Sequence, residues 1–172
     1  MGTLRSKLLF PLAGLAAIVV PCATASHSTF VSRLYRYSFQ VPDGFRARAA
    51  TIQLTLGFFP SAEPGDAAVD QFTQGNTTIG MAATPLTNHE SLVAWVKSRI
   101  AVISRHVGCV GGKGHPTTVG GMPAVELVYH YCFGHFDVVE TVHGGRGYDL
   151  YWLGRPETGT FLRDLASFRF TR

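Results

Sequence analysis

The sequence is poor in charged residues and in cysteine, and it has no internal repeat or low-complexity segment. Only 15% of its 172 residues are charged, whereas 46% are hydrophobic, and there are three cysteines. This balance excludes a disordered tail and a coiled coil, and the 19 glycines follow no collagen-like repeat. The composition therefore indicates one globular domain that can bury a substantial core.

Motifs for nucleic-acid binding and for common catalytic chemistry are also absent from the sequence. No cluster of Lys and Arg interleaved with aromatic residues is present. The motifs G-x-S-x-G, S-x-x-K and H-E-x-x-H do not occur, which leaves the usual hydrolase signatures unmatched. Lys113 follows two glycines but precedes Gly114, where a phosphate-binding loop needs a hydroxyl. We therefore expect no nucleic-acid partner and no cofactor.

The first 25 residues have the features of an export signal. Arg5 and Lys7 precede the apolar run 8–20, and Ala-Thr-Ala at 23–25 supplies the small residues of a cleavage site. As a helix this run is roughly 20 Å long, shorter than a hydrocarbon core of about 30 Å. We expect cleavage after residue 25 and no permanent membrane span. The alternatives are an uncleaved anchor and lipid modification of Cys22, although Val-Val-Pro before Cys22 differs from the usual lipoprotein signal.

Export bears on the charge and on the cysteines of the mature chain. Cleavage removes two of the 15 Lys and Arg and none of the 11 Asp and Glu, which leaves a net charge of +2. Cys109 and Cys132 remain, and oxidising conditions outside the cell favour a disulfide between them. Closing this loop would stabilise the fold by about 3.5 kcal/mol. The alternative is that both cysteines remain as buried thiols. Separately, Asn76 begins a glycosylation sequon, which is relevant only if the host glycosylates exported proteins.

Three strands are predicted in the first half of the mature chain. After a short polar lead over 26–34, residues 35–41 alternate in polarity and end at Pro-Asp-Gly, a turn sequence. Residues 50–58 alternate again and precede a segment rich in Pro and Gly, and residues 77–83 form the third predicted strand. We expect a single domain over 35–172.

A helix is predicted to begin at Thr87, because Glu90 follows three positions later as in a capping box. It is expected to end before Gly108. The hydrophobic residues after this start share one helical face, which we expect to pack on a sheet. These residues are Leu92, Trp95, Val96, Ile100 and Ile103.

The C-terminal third is predicted to form a three-stranded meander over 124–132, 136–143 and 147–153. Its short connections force adjacent antiparallel pairing, because a parallel return needs a crossover of a dozen or more residues. Hydrophobic residues within 161–168 indicate a short closing helix. The order predicts an α+β fold, an antiparallel sheet of about six strands with a C-terminal meander, flanked by helices.

Four segments in this order resemble the PsbP/Mog1-like family. They are YSFQVPDGF (37–45), TVGGMPAVELVY (118–129), GRGYDLYWL (145–153) and FLRDLASFRF (161–170), with the capped helix after the first. The resemblance implies a central antiparallel sheet flanked by helices. It also implies an exported bacterial protein or lipoprotein-type domain that binds or assembles without catalysis. No functional residue transfers, since the shared positions have structural reasons to exist.

Aromatic side chains on the meander are candidates for a ligand or partner face if one side of the sheet is uncovered. The alternative is that they pack in the core beneath the helices. The candidates are Tyr129, Tyr131, Tyr148, Tyr151 and Trp152.

Histidines and carboxylates near the meander could in principle bind zinc or copper. The group comprises His115, His130, His135, Glu140 and His143. If the first two meander strands pair through the turn 133–135, His130 lies opposite Val138 and Glu140 lies opposite Val128. His130 and Glu140 then share a face, and His143 lies on the other. At most two ligands converge, so no metal site is predicted, and His130, Glu140 and His143 remain as candidates.

The sequence as a whole predicts an exported, non-catalytic binding or assembly factor of the cell envelope or extracellular space. Its partner is expected to be a protein or a small apolar ligand. The alternative is a small secreted hydrolase or metal-binding protein that uses His130 with Glu140 or Asp137.

Overall fold

A computed structural model describes residues 28–57, 65–87, 90–106, 113–129, 135–154 and 160–172. Within these ranges the chain forms ten strands and two helices. The strands are β1 (Thr29–Ser32), β2 (Tyr37–Gln40), β3 (Arg46–Arg48), β4 (Asp70–Gln74), β5 (Thr77–Pro85), β6 (Gly114–Val119), β7 (Met122–Tyr129), β8 (His135–His143), β9 (Arg146–Gly154) and β10 (Arg169–Phe170). The helices are α1 (Leu92–His106) and α2 (Thr160–Leu165). The predicted α+β class is confirmed, with more strands than expected.

The strands form two antiparallel sheets. The large sheet has seven strands in the order β3-β4-β5-β9-β8-β7-β6, and the small sheet has three in the order β1-β2-β10. The predicted meander is β7-β8-β9, and each of its strands pairs with the next. The small sheet joins the two ends of the described chain, because β2 pairs with β10.

The two faces of the large sheet are covered by different elements. On the helix face, α1 packs on β7 and β8, and Trp95 lies against Gly147 of β9. On the opposite face, which we call the sandwich face, lie the small sheet and α2. There Phe39 packs on Phe72, and Phe161 packs on Trp152. Strands covered on both sides bury consecutive residues, as β5 and β9 do over most of their length.

The register between β7 and β8 differs by three residues from the predicted one. Tyr129 lies opposite Phe136, so Glu140 lies opposite Val125 and not opposite Val128. Residue 135 of the predicted turn at 133–135 is the first residue of β8, and the other two residues lie outside the described ranges. A shift by an odd number exchanges the faces of one strand relative to the other. The observed register is the one that places Leu127 and Val138, both buried, opposite each other.

The N-terminal half differs most from expectation. A strand, β1, forms within the predicted polar lead, whereas residues 50–57 form no strand. Leu54 of that segment is nevertheless buried, and its backbone N–H donates to the Tyr35 hydroxyl at 3.2 Å. The other two apolar residues of the alternating pattern, Ile52 and Leu56, are exposed, so the pattern corresponds neither to a strand nor to a buried face. The short strands β3 and β4 have no counterpart in the prediction.

Helix α1 begins at Leu92, five residues after the predicted start at Thr87. Its first turn is capped by Ser91, whose Oγ accepts a hydrogen bond from the Ala94 N–H at 3.3 Å. Trp95 and Ile103 are fully buried, as the helical spacing predicts. Neither helix in the described ranges has the length and hydrophobicity that crossing a bilayer requires.

Candidate functional site

The aromatic residues of the meander do not form an exposed face. The four within the described ranges are buried, namely Tyr129, Tyr148, Tyr151 and Trp152. They also divide between the two faces of the sheet, because Tyr148 and Trp152 alternate with Tyr151 along β9. Tyr131 lies outside the described residues. The four described side chains therefore belong to the core, which is the alternative that the sequence left open.

The metal-ligand candidates are not brought together where the structure describes them. Glu140 lies on the helix face, whereas Asp137 and His143, each three positions away along β8, lie on the sandwich face. His130 lies outside the described residues, as does the side chain of His135. Within the described ranges, no three His, Cys, Asp or Glu side chains are grouped so as to hold a metal ion.

A buried cluster of charged side chains lies between α1 and the helix face. Arg99 Nε lies 2.6 Å from Asp149 Oδ1, and both side chains are fully buried. Trp95 Nε1 donates to Glu140 Oε2 at 2.9 Å. The Arg99 guanidinium carbon also lies 5.2 Å from the centroid of the Trp95 ring, in a cation–π arrangement. Glu140 and Asp149 are opposite each other on β8 and β9.

Burial and then the neighbouring Asp149 raise the pKa of Glu140 well above its usual range. Burial also raises the pKa of Asp149, with Arg99 acting in the opposite direction. These directions favour the protonated form of Glu140 beside Asp149, whose negative charge lies against Arg99. Because all four side chains of the cluster are fully buried, it has no opening for a substrate. Its role is to join α1 to β8 and β9.

An open site with several positively charged residues lies at the β8–β9 hairpin. A cavity of about 480 Å³ opens there between the turn 33–36, the hairpin and the last residues of the chain. We call it the basic pocket. The side chains that define it are Arg36, His143, Arg146, Arg169, Phe170 and Arg172. No acidic side chain lines it within the described residues.

Backbone hydrogen bonds bring the three segments of the basic pocket together. The Thr171 N–H donates to the Arg36 carbonyl at 2.9 Å, which ties the end of the chain to the turn. Arg36 is the one described non-glycine residue with positive φ, at 57°. Its own N–H donates to the Ser32 carbonyl at 2.9 Å. The hairpin is attached by Arg146, whose Nη1 donates to the Leu34 carbonyl at 2.9 Å.

Aromatic rings form one wall of the basic pocket. The His143 ring stacks on Phe170 with centroids 4.1 Å apart, and Tyr148 meets Phe170 edge-on at 5.1 Å. The Tyr148 hydroxyl donates to the Tyr35 carbonyl at 2.9 Å. A Cβ at Gly120 would lie 2.8 Å from Phe170 Cε2, so only glycine allows the β6–β7 turn to approach this ring.

The electrostatics of the basic pocket favour anions. Burial raises the pKa of Tyr148, and the positive charges of Arg146 and Arg36 oppose this rise. Guanidinium groups bind carboxylates and phosphates bidentately but do not exchange protons at neutral pH. The arrangement is therefore suited to holding an anion.

The fold is similar to that of a solved structure, the solution structure of cyanobacterial PsbP (CyanoP) from Synechocystis sp. PCC 6803. The TM-score is 0.56 at 14% sequence identity, and the match covers 94% of this chain and 99% of that chain. This chain has the PsbP-like fold. No protein-family model matches the chain, and no curated protein matches it in sequence. The PsbP-like fold confirms the predicted sheet and flanking helices, but at this identity it assigns no functional residue.

On this PsbP-like fold, the sequence prediction named Glu140 of the buried cluster and His143 and Tyr148 of the basic pocket as candidates, but it missed Asp149 and the arginines of both sites. A signal existed for Arg99, which falls on the predicted hydrophobic face between Trp95 and Ile103 at four-residue spacings. A charged residue at such a position needs a buried counter-ion. The arginines of the basic pocket gave no such signal, because they are separated along the sequence and follow no period.

Proposed function

We propose that the protein is an exported, non-catalytic binding protein whose basic pocket receives an anionic group of a ligand or partner. The observation that carries this proposal is the convergence of four arginines on one open cavity without an acidic side chain among its described lining residues. The fully buried state of Glu140 and Asp149 supports the non-catalytic part, because acid–base chemistry needs access to substrate. The burial of the described meander aromatics makes a small apolar ligand on that surface a weaker proposal than an anion.

The test measures thermal unfolding in phosphate, sulfate, citrate and acetate at constant ionic strength. We expect at least one anion to raise the melting temperature of the wild type, since a ligand that binds only the folded state stabilises it. The double variant Arg36→Gln/Arg172→Gln should lose this rise. The matched control Lys97→Gln/Arg105→Gln removes the same charge from exposed positions on α1 and should keep it. Equal responses of the two double variants would contradict a specific pocket.

Export is the second part of the proposal and rests on residues 1–25. After expression in an exporting host, we expect the mature chain outside the cytoplasm to begin at Ser26. Sequencing of its N-terminus checks this. A chain that keeps residues 1–25, or one that carries lipid on Cys22, would replace cleavage with one of the two alternatives.

The proposed disulfide between Cys109 and Cys132 follows from export, and both cysteines lie outside the described residues. We expect no reactive thiol in the mature protein when it is titrated in denaturant without reductant. After reduction, two thiols per chain should react. Two reactive thiols before reduction would contradict the bridge.

A further inference from the structure

We propose that the basic pocket recognises a phosphate-monoester group, carried by a soluble small molecule or by a lipid head group. This inference rests on the proposed function and names the chemical class of the anion. It is carried by the number, the type and the support of the cationic side chains, and by the aromatic wall beside them.

The number of guanidinium groups favours an anion with more than one charge. Four arginines line the cavity, and no acidic side chain neutralises them within the described lining. A carboxylate or a sulfate monoester has one negative charge, whereas a phosphate monoester has between about 1.5 and 2 negative charges at pH 7. A phosphate group also has three acceptor oxygens that separate arginines can share.

The type of cationic side chain in the basic pocket also favours a phosphate group. All four cationic residues of the pocket are arginine and none is lysine. The planar guanidinium presents paired donors that match two oxygens of a phosphate, whereas an ammonium group acts as a point charge.

Hydrogen bonds hold two of these arginines in place, Arg146 at the basic pocket and Arg169 between it and a second cavity that Ala166 lines. Arg146 Nη1 donates to the Leu34 carbonyl at 2.9 Å. Arg169 Nη1 donates to the carbonyls of Ala166 and Phe168, at 2.7 and 2.6 Å. These bonds use Nη1 of each group, and Arg146 Nη1 also lies 3.5 Å from Gln53 Oε1. Side chains that are already ordered lose less conformational freedom on binding, which favours affinity.

The cavity has room for more than the phosphate. Its volume of about 480 Å³ lies within the range of small-molecule sites, and the stacked His143 and Phe170 rings lie beside the arginines. A flat organic group attached to the phosphate can pack against these rings. We therefore expect an aryl phosphate to bind more tightly than methyl phosphate, by roughly threefold or more.

The experiment is a set of calorimetric titrations of the purified protein at constant ionic strength and pH 7.5. The probes are phenyl phosphate, methyl phosphate, phenyl sulfate and benzoate. Phenyl phosphate should bind at least about tenfold more tightly than phenyl sulfate, which has the same ring and one negative charge. In Arg36→Gln/Arg172→Gln its affinity should fall by about tenfold or more, because hydrogen bonds to charged groups are lost. The control Lys97→Gln/Arg105→Gln should stay within about twofold.

Two vesicle preparations distinguish the sources of the phosphate. Vesicles that contain phosphatidic acid present a phosphate monoester at the surface, whereas pure phosphatidylcholine vesicles do not. Arginine-dependent binding to the former but not the latter supports a lipid source, and binding of soluble phenyl phosphate alone supports a small-molecule source. The far-ultraviolet circular dichroism of each variant should match the wild type, which separates lost binding from lost folding.

The outcomes separate this inference from the proposed function. Benzoate or phenyl sulfate binding as tightly as phenyl phosphate through the same arginines would overturn phosphate recognition and leave the anion-binding function standing. No arginine-dependent binding of any of these anions would overturn both.

Discussion

Arg99 on α1 and Asp149 on β9 form an ion pair with both side chains fully buried and 2.6 Å between Nε and Oδ1. Removing one partner leaves the other charge in the core without its counter-ion. We therefore expect Arg99→Met to lower the free energy of unfolding by about 3–5 kcal/mol. Urea denaturation followed by circular dichroism measures this change.

The double variant Arg99→Met/Asp149→Leu tests whether the loss comes from the unpaired charge. Replacing a buried pair by hydrophobic residues is often close to neutral, so the double variant should recover most of the lost stability. The single variant Asp149→Leu completes the comparison. If the double variant loses as much free energy of unfolding as the two single variants together, the two side chains are not directly coupled.

Glu140 should make the stability of the protein fall as pH rises. Burial and Asp149 raise its pKa in the folded state, so the folded protein keeps a proton that the unfolded chain releases above about pH 4.5. Its contribution is fully present below that pH and is lost as pH rises toward the folded-state pKa, by up to about 1.4 kcal/mol per pH unit.

Glu140→Gln removes this proton release and keeps the polar contacts. The stability of the variant relative to the wild type should therefore increase between pH 4.5 and pH 7.5, as measured by urea denaturation at several pH values. Parallel pH profiles for the two proteins would mean that Glu140 is ionised in the folded state.

Gly147 allows the Trp95 ring to approach β9 closely. A Cβ at this position would lie 2.5 Å from two atoms of the indole, Cδ2 and Cε2. Gly147→Ala should displace the ring, shift the resonance of the Trp95 indole N–H and destabilise the protein by about 1–3 kcal/mol. In a Trp95→Leu background the same substitution should cost less. An equal loss of stability in both backgrounds would show that the added methyl group does not clash with the Trp95 ring.

Ser91, and not Thr87, caps helix α1. Ser91→Ala removes the acceptor for the Ala94 N–H and should destabilise the protein by about 1 kcal/mol. Thr87→Ala changes an exposed residue outside the helix and should stay within about 0.5 kcal/mol of the wild type. Chemical denaturation of the two variants checks both values, and the reverse order would support the capping box at Thr87.

The meander could be predicted in outline but not in register. Because the turn at residues 144–145 is so short, β8 and β9 can only pair as antiparallel neighbours. The register of β7 against β8 depends instead on which side chains are buried on each face. Leu127 and Val138 are opposite each other and both are buried. The alternating pattern along one strand does not show which residue of the next strand lies opposite.

The strands of the N-terminal half could also not be predicted from local alternation alone. Residues 50–57 alternate in polarity like a strand but pair with no strand in the described part of the chain. Thr29–Ser32 do form a strand, because they pair with β2. A strand is stabilised by its pairing with a neighbouring strand, so local alternation alone does not determine where a strand forms.

The α+β class, the pairing order of the meander and the buried face of α1 could all be predicted from the amino-acid sequence, because these features depend on short-range periodicity and on turn length. The residues that form the two polar sites are brought together by the packing of distant segments. Arg99 meets Asp149 through the packing of α1 on the sheet. Arg36 and Arg172 line the same cavity because the Thr171 N–H donates to the Arg36 carbonyl. Such long-range contacts bring charges together whose positions in the sequence follow no common period.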